Sequence, residues 1–179
     1  MTHRGPFAER PPLLVTLGLD ADSQARFDDE RQRYFPPGRT AVGAHVTLFH
    51  ALPAKLRTGV EQVLSGVKGE LDVPVTGLRS LGRGVAYELS CPEVERQHRE
   101  WQARWHDHLT RQDSQSLRLH VTVQNKVSPE EAHATLAELQ ETFEPWTARA
   151  TALHLWEYRG GPWNALGTFP LGPSGPLGR

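Results

Sequence analysis

Two four-residue stretches share one pattern: His45-Val46-Thr47-Leu48 and His120-Val121-Thr122-Val123. Each places an imidazole and a hydroxyl two residues apart within β-branched and apolar residues, a composition that favours strand. Side chains alternate faces along a strand, so His and Thr project together. Val46 and Leu48, with Val121 and Val123, then face a core. An imidazole exchanges protons near neutral pH, and a hydroxyl can donate a hydrogen bond to an anionic oxygen. If the fold brings the two strands to one cleft, one imidazole can take a proton from a nucleophile while the other supplies one to a leaving oxygen. Two hydroxyls then stand ready for the charge on the group between them.

Alternation extends the candidate face. Phe49 follows His45 and Thr47, and is either a stacking surface for a base or ribose or ordinary core. Continuing the second strand adds Gln124 and Lys126 to the face of His120 and Thr122. Tyr158 and Trp163 surround the Gly160-Gly161-Pro162 turn and would either wall a pocket or pack under a hairpin. His50 alternates to the opposite face and reads as structural or exposed. His98, His106 and His108 share a helix without the i,i+4 spacing of a zinc pair, and Cys91 is the single cysteine. No metal site and no cofactor is expected, and neither a phosphate-binding nor a dinucleotide-binding glycine motif is present.

Around these residues the chain reads as alternating elements. Leu13 to Leu19 is a buried strand, and Asp20 or Asp22 caps a helix to about Tyr34, closed by Pro36-Pro37-Gly38. The first motif strand spans about 45–50. Leu56, Val60, Val63, Leu64 and Val67 mark a second helix. Strands at 71–80 and 84–90 form a hairpin, and Pro92 opens a third helix carrying Val94, His98, Trp101 and Trp105. The second motif strand, about 117–124, precedes a helix opened by Ser128-Pro129-Glu130-Glu131. Strands at 147–158 and 164–171 close the fold. Residues 1–12 read as an extended lead-in and 172–179 as a flexible tail. The repeated element order suggests an internal duplication, with lobes at about 13–82 and 83–171, with or without exchange of strands between them, within one bilobal domain.

With 179 residues, 37% hydrophobic, 23% charged and formal net charge −1, the chain has the composition of a globular domain. Near-neutral charge argues against a broad surface for long nucleic acid and leaves room for a local pocket. One cysteine excludes an intrachain disulfide. The start lacks a secretory apolar run, and no stretch approaches the roughly 20 apolar residues that span a bilayer. A cytoplasmic, membrane-free protein without an obligate protein partner, a monomer, is the expectation.

The paired H-x-T-x motifs, with the chain length and their separation, resemble the 2H phosphoesterase superfamily, and especially its 2′-5′ RNA ligase-like branch. The resemblance implies an α+β, bilobal fold: two antiparallel sheets related by a pseudo-twofold axis, helices outside, and a central cleft lined by the motif strands. It implies His45 and His120 as the catalytic acid and base, in unassigned order, with Thr47 and Thr122 on the phosphate. Lys126 would add a charge where the family commonly carries a basic residue. The implied reaction is metal-independent hydrolysis of 2′,3′-cyclic phosphates on nucleotides or RNA ends, with reversible 2′-5′ ligation as a further activity. Two alternatives stand beside it: a non-catalytic module binding nucleotides or RNA ends in the same cleft, and a zinc hydrolase using both histidines as ligands.

Overall fold

The computed structural model describes residues 10–39 and 41–173. Among these, eleven α-helices and β-strands follow in order: β1 (Leu13–Leu19), α1 (Ala21–Tyr34), β2 (Val46–Leu52), α2 (Arg57–Gly66), β3 (Leu71–Ser80), β4 (Val85–Leu89), α3 (Pro92–Arg104), β5 (His120–Gln124), α4 (Pro129–Thr142), β6 (Trp146–Glu157) and β7 (Asn164–Pro170). Local chemistry sets their bounds. The Asp20 carboxylate accepts from the Ser23 amide at 3.1 Å to start α1, and the Ser128 hydroxyl accepts from the Glu131 amide at 3.1 Å to start α4. Pro92 and Pro129 occupy first-turn positions where a missing N–H costs nothing. Among the described residues no helix is long and apolar enough to cross a membrane.

The strands run antiparallel in the order β2-β1-β6-β3-β4-β5, with β7 also on β6. The long β6 joins two groups of strands edge to edge. Its residues 146–150 pair with β3, while its later residues pair with β1 on one edge and β7 on the other. The α+β class with antiparallel strands and flanking helices is the one the sequence implied. Pairing does not follow chain halves: β3 joins β4 and β6, whereas β6 and β7 join β1. The chain beyond β7 is held at its start, because the Glu70 amide donates to the Gly172 carbonyl at 3.0 Å. The rest of the expected tail, 174–179, and the lead-in before residue 10 lie outside the described residues.

One apolar core runs along the whole sheet, with Phe27, Leu48, Phe49, Leu64, Val73, Tyr87, Trp101, Val121 and Leu155 buried in it. β2 and β5 are the two ends of the strand path, yet they come into contact. Helix α1 ties them together. Its buried Arg31 donates through Nε to the Val42 carbonyl at 3.2 Å and through Nη1 to the Thr122 carbonyl at 2.7 Å. Asp28 and Gln24 of the same helix hold both backbone groups of Ala44, at 2.7 Å and 2.8 Å. The segment leading into β2 and the middle of β5 are thus fixed to a single rigid element.

Candidate active site

Both motif strands break alternation at the same place. In β2, Val15 lies opposite Phe49 and Thr16 opposite Thr47. In β5, Val85 lies opposite Gln124 and Ala86 opposite Thr122. One partner residue answers two motif-strand residues each time, so Leu48 and Val123 are β-bulge residues one step past the threonine. The burial pattern is the same on both strands. His and Thr are half-exposed, the valine between them is buried, and so are the two residues after Thr. Each bulge turns the residue after the motif, Phe49 or Gln124, inward.

This corrects two expectations drawn from strict alternation. Phe49 does not reach the cleft: it is fully buried, stacked on His98 at 4.5 Å and edge-on to Trp105 at 5.4 Å. Gln124 is 1% exposed and donates to the Thr135 hydroxyl of α4 at 2.8 Å. A third correction concerns Lys126. β5 ends at Gln124, and Lys126 adopts a left-handed φ of 64° that breaks the strand register. Its side chain is exposed and lines none of the described cavities. Tyr158 is also exposed, at 45%, and stands apart from the cavity beside His45.

The two histidines share one local device. His45 Nδ1 lies 2.8 Å from the Gly43 carbonyl, and His120 Nδ1 lies 2.8 Å from the Arg118 carbonyl, each two residues upstream. A carbonyl only accepts, so Nδ1 carries the proton in both rings and Nε2 is left for a ligand. The rings are near enough for their charges to interact. Burial pushes the His45 imidazole down to about 4; the Gly43 carbonyl opposes this, and the charges of Arg31, His120 and His50 add to it. His120 is lowered by burial and by Arg79, His50 and Arg118, against the pull of the Arg118 carbonyl. In the free protein at pH 7, His45 is neutral.

Two cavities flank the pair. Beside His45 lies one of about 490 Å³, lined by Gly18, Gln24, His154, Trp156, Trp163 and Thr168 among others. That volume falls in the range of small-molecule pockets, roughly 300–1,000 Å³. Trp163 packs against His45 with ring centroids 4.5 Å apart, and Trp156 follows Trp163 at 6.0 Å. Trp156 is fixed by its indole N–H, which donates to the Thr16 hydroxyl at 2.9 Å. Gly18 keeps this wall open, since a Cβ there would come within 2.5 Å of His154 Nε2. On the other side, Thr47, His50, Arg118 and His120 line a pocket of about 190 Å³.

Sequence reasoning missed His50, Arg79, Arg118, His154 and Trp156. The face assigned to His50 is corrected: the bulge at Leu48 reverses the alternation of the residues after it and returns His50 to the cleft side. Its Nδ1 donates to Asp113 at 3.1 Å. Arg118 meets Glu88 at 3.2 Å beside His120, and Glu88 is the strand partner of His120. An Arg two residues before the second motif was the signal available for Arg118. Among the described residues, no group of three or more His, Cys, Asp or Glu is arranged to hold a metal ion.

Comparisons with known proteins bear on this arrangement. The family model described as the 2'-5' RNA ligase superfamily matches residues 19–162, well over half of the chain. Among solved structures, the chain is similar to TT0787 of Thermus thermophilus, with a TM-score of 0.63 and 14% identity over 89% of this chain and 97% of that one. It is also similar to E. coli LigT complexed with 3'-AMP, with a TM-score of 0.58 and 17% identity over 90% and 98%. A structure described as a phosphoesterase gives a TM-score of 0.58 and 18% identity over 91% and 99%. At such identities these likenesses establish the fold alone. No curated protein matches the chain by sequence.

Proposed function

Because this chain belongs to the 2′-5′ RNA ligase superfamily, a phosphoesterase-like group, we propose that it hydrolyses 2′,3′-cyclic phosphates of nucleotides or RNA ends, with reversible 2′-5′ ligation as a related activity. The observation that carries the reading is the matched pair of imidazoles, each held through Nδ1 by an upstream carbonyl, with Nε2 left for substrate. LigT has been crystallised with 3'-AMP, NADP+ and ATP. By analogy, the aromatic cavity beside His45 receives a nucleoside and Trp163 its base.

In this reading the phosphorus sits between the rings. One imidazole, neutral at pH 7, takes the proton from an attacking water, and a P–O bond forms. The other, protonated once the phosphate anion lies beside it, gives its proton to the departing ribose oxygen as the old P–O bond breaks. Thr47 and Thr122 donate to non-bridging oxygens, and Arg79 and Arg118 replace Lys126 as the source of positive potential. Acid, base and anion donors are all side chains of this chain, so no step runs through a metal.

The test is direct. The wild-type protein should convert a 2′,3′-cyclic nucleotide to its monoester, with undiminished rate in EDTA. The His45→Ala/His120→Ala double variant should not. Binding without turnover by the wild type would favour a non-catalytic module instead, and dependence on added zinc would favour a metal hydrolase.

A further inference from the structure

We propose that His50, oriented by Asp113, is a positioning residue for the sugar on the leaving-group side of the scissile phosphate; this rests on the phosphoesterase reading above. Asp113 has a side chain with no exposed surface. It accepts from the backbone amides of His50 and Ala51, each at 2.8 Å, and from His50 Nδ1 at 3.1 Å. Burial alone would raise the Asp113 pKa; these hydrogen bonds hold it below its ordinary value, so the group is a carboxylate. The His50 ring is thereby fixed with Nδ1–H toward Asp113 and Nε2 free for the pocket.

The pocket itself is rigid, and it sets the carboxylate of Asp113 behind His50 and that of Glu88 behind Arg118. Gln102 of α3 donates to the carbonyls of Asp113 and Gln115, at 2.9 Å and 2.7 Å, which pins the outer wall. Arg118 is met by Glu88, and Asp113 by His50. Leu48 and Leu117 give an apolar floor, with Gln112 and Ser116 at the rim. A second phosphate would call for excess positive charge, whereas a sugar offers C–H faces and hydroxyls. At about 190 Å³ the space is below the usual range for a whole ligand, roughly 300–1,000 Å³, and suits a sugar rather than a nucleoside with its base.

This pocket shares Thr47 and His120 with the phosphate site and no residue with the aromatic cavity beside His45. A diester with one nucleoside in the aromatic cavity therefore directs its second sugar toward His50. Cleavage then balances without a further reactant. The ribose hydroxyl vicinal to the esterified oxygen attacks phosphorus and yields its proton to one imidazole. The bond from phosphorus to the 5′ oxygen breaks, and that oxygen leaves with a proton from the other imidazole. The products are a 2′,3′-cyclic phosphate and a free 5′-hydroxyl.

The experiment compares cleavage of a dinucleoside 2′-5′ monophosphate with hydrolysis of a 2′,3′-cyclic mononucleotide, whose far side needs only water. His50→Asn keeps a donor to Asp113 and removes the cleft nitrogen. The ratio of dinucleotide to cyclic kcat/KM should fall about ten- to hundred-fold, the loss of one oriented hydrogen bond. Asp113→Asn, which frees the ring, should shift the same ratio and serves if His50→Asn does not fold. An unmoved ratio overturns the inference and makes the pair a structural staple. A wild type that hydrolyses the cyclic substrate and leaves the dinucleotide intact also overturns it, with the phosphoesterase reading standing. A wild type inert to both removes both.

Discussion

The two motif strands share a sequence pattern, a bulge and a histidine clamp, yet their surroundings differ. β2 continues past its bulge through Phe49, His50 and Leu52, backed by His98 of α3 and by Trp105 just past its end. β5 stops at Gln124, backed by a hydroxyl of α4. His45 sits against Trp163, while His120 sits among Arg79, Arg118 and Glu88. A duplicated chemical pair has been placed in one desolvated, aromatic half and one ionic half. Unequal environments are what a pair of identical groups needs to take unlike roles in proton transfer.

The largest effect should come from the histidines themselves. His45→Ala and His120→Ala should each lower kcat about 10²–10⁴-fold. The double variant should lose little more than the worse single one, because the two act as a unit. Steady-state rates check this. Multiplicative losses would mean that the rings work independently and would break the pairing.

Next in size is the buried position just after each motif. Phe49→Ala should cost about 3–5 kcal/mol of unfolding free energy through the cavity it leaves. Gln124→Ala removes one hydrogen bond and should cost about 1–3 kcal/mol. Denaturant titration of the two variants would show whether the halves differ in packing as their neighbours suggest. Equal costs would contradict that.

Those two residues also show where the sequence stopped being legible. Hydrophobic periodicity, caps and prolines placed the helices and most strands within a few residues, since these signals are local. The H-V-T pattern located the chemistry, because period-two alternation holds through the four motif residues in both strands. It failed at the fifth, past a bulge set by cross-strand register. Register is a property of the partners, Val15-Thr16 and Val85-Ala86, and neither motif contains it. His50 and His154 were invisible for the same reason: each reaches the cleft through a strand register that its own neighbours do not encode. Trp163 was legible only as a choice between two roles, and its contact with His45 favours the pocket wall.

Trp163→Ala should weaken binding of a nucleoside monophosphate by about 1–3 kcal/mol, the range of a lost stacking partner, with the effect mainly in KM. Titration calorimetry would measure it. The equivalent change on the ionic half, Arg118→Ala, should leave discrimination between bases unaltered and instead reduce the salt dependence of binding. A Trp163 variant with full affinity would remove the aromatic half from substrate recognition.

The smallest effect separates the halves by pH. His45 has a folded pKa of about 4 against an ordinary value of 6.5. Between those values the unfolded chain binds more protons than the folded one, so stability rises with pH across this window. It is fully present above about 6.5 and is lost as pH falls toward 4. His98, His120 and His154 are lowered too, and contribute in the same direction. Removing one titrating ring should therefore flatten the curve partly. His45→Gln should retain more stability at acid pH relative to neutral than wild type does, and His120→Gln should do so less. The gap between the two variants should be widest below the ordinary value of 6.5, with His45→Gln the flatter. Thermal unfolding from pH 4 to 8 would record it. Identical flattening by both variants would mean that the aromatic wall leaves His45 no drier than its twin, and with that the physical basis for giving the two imidazoles different roles would go.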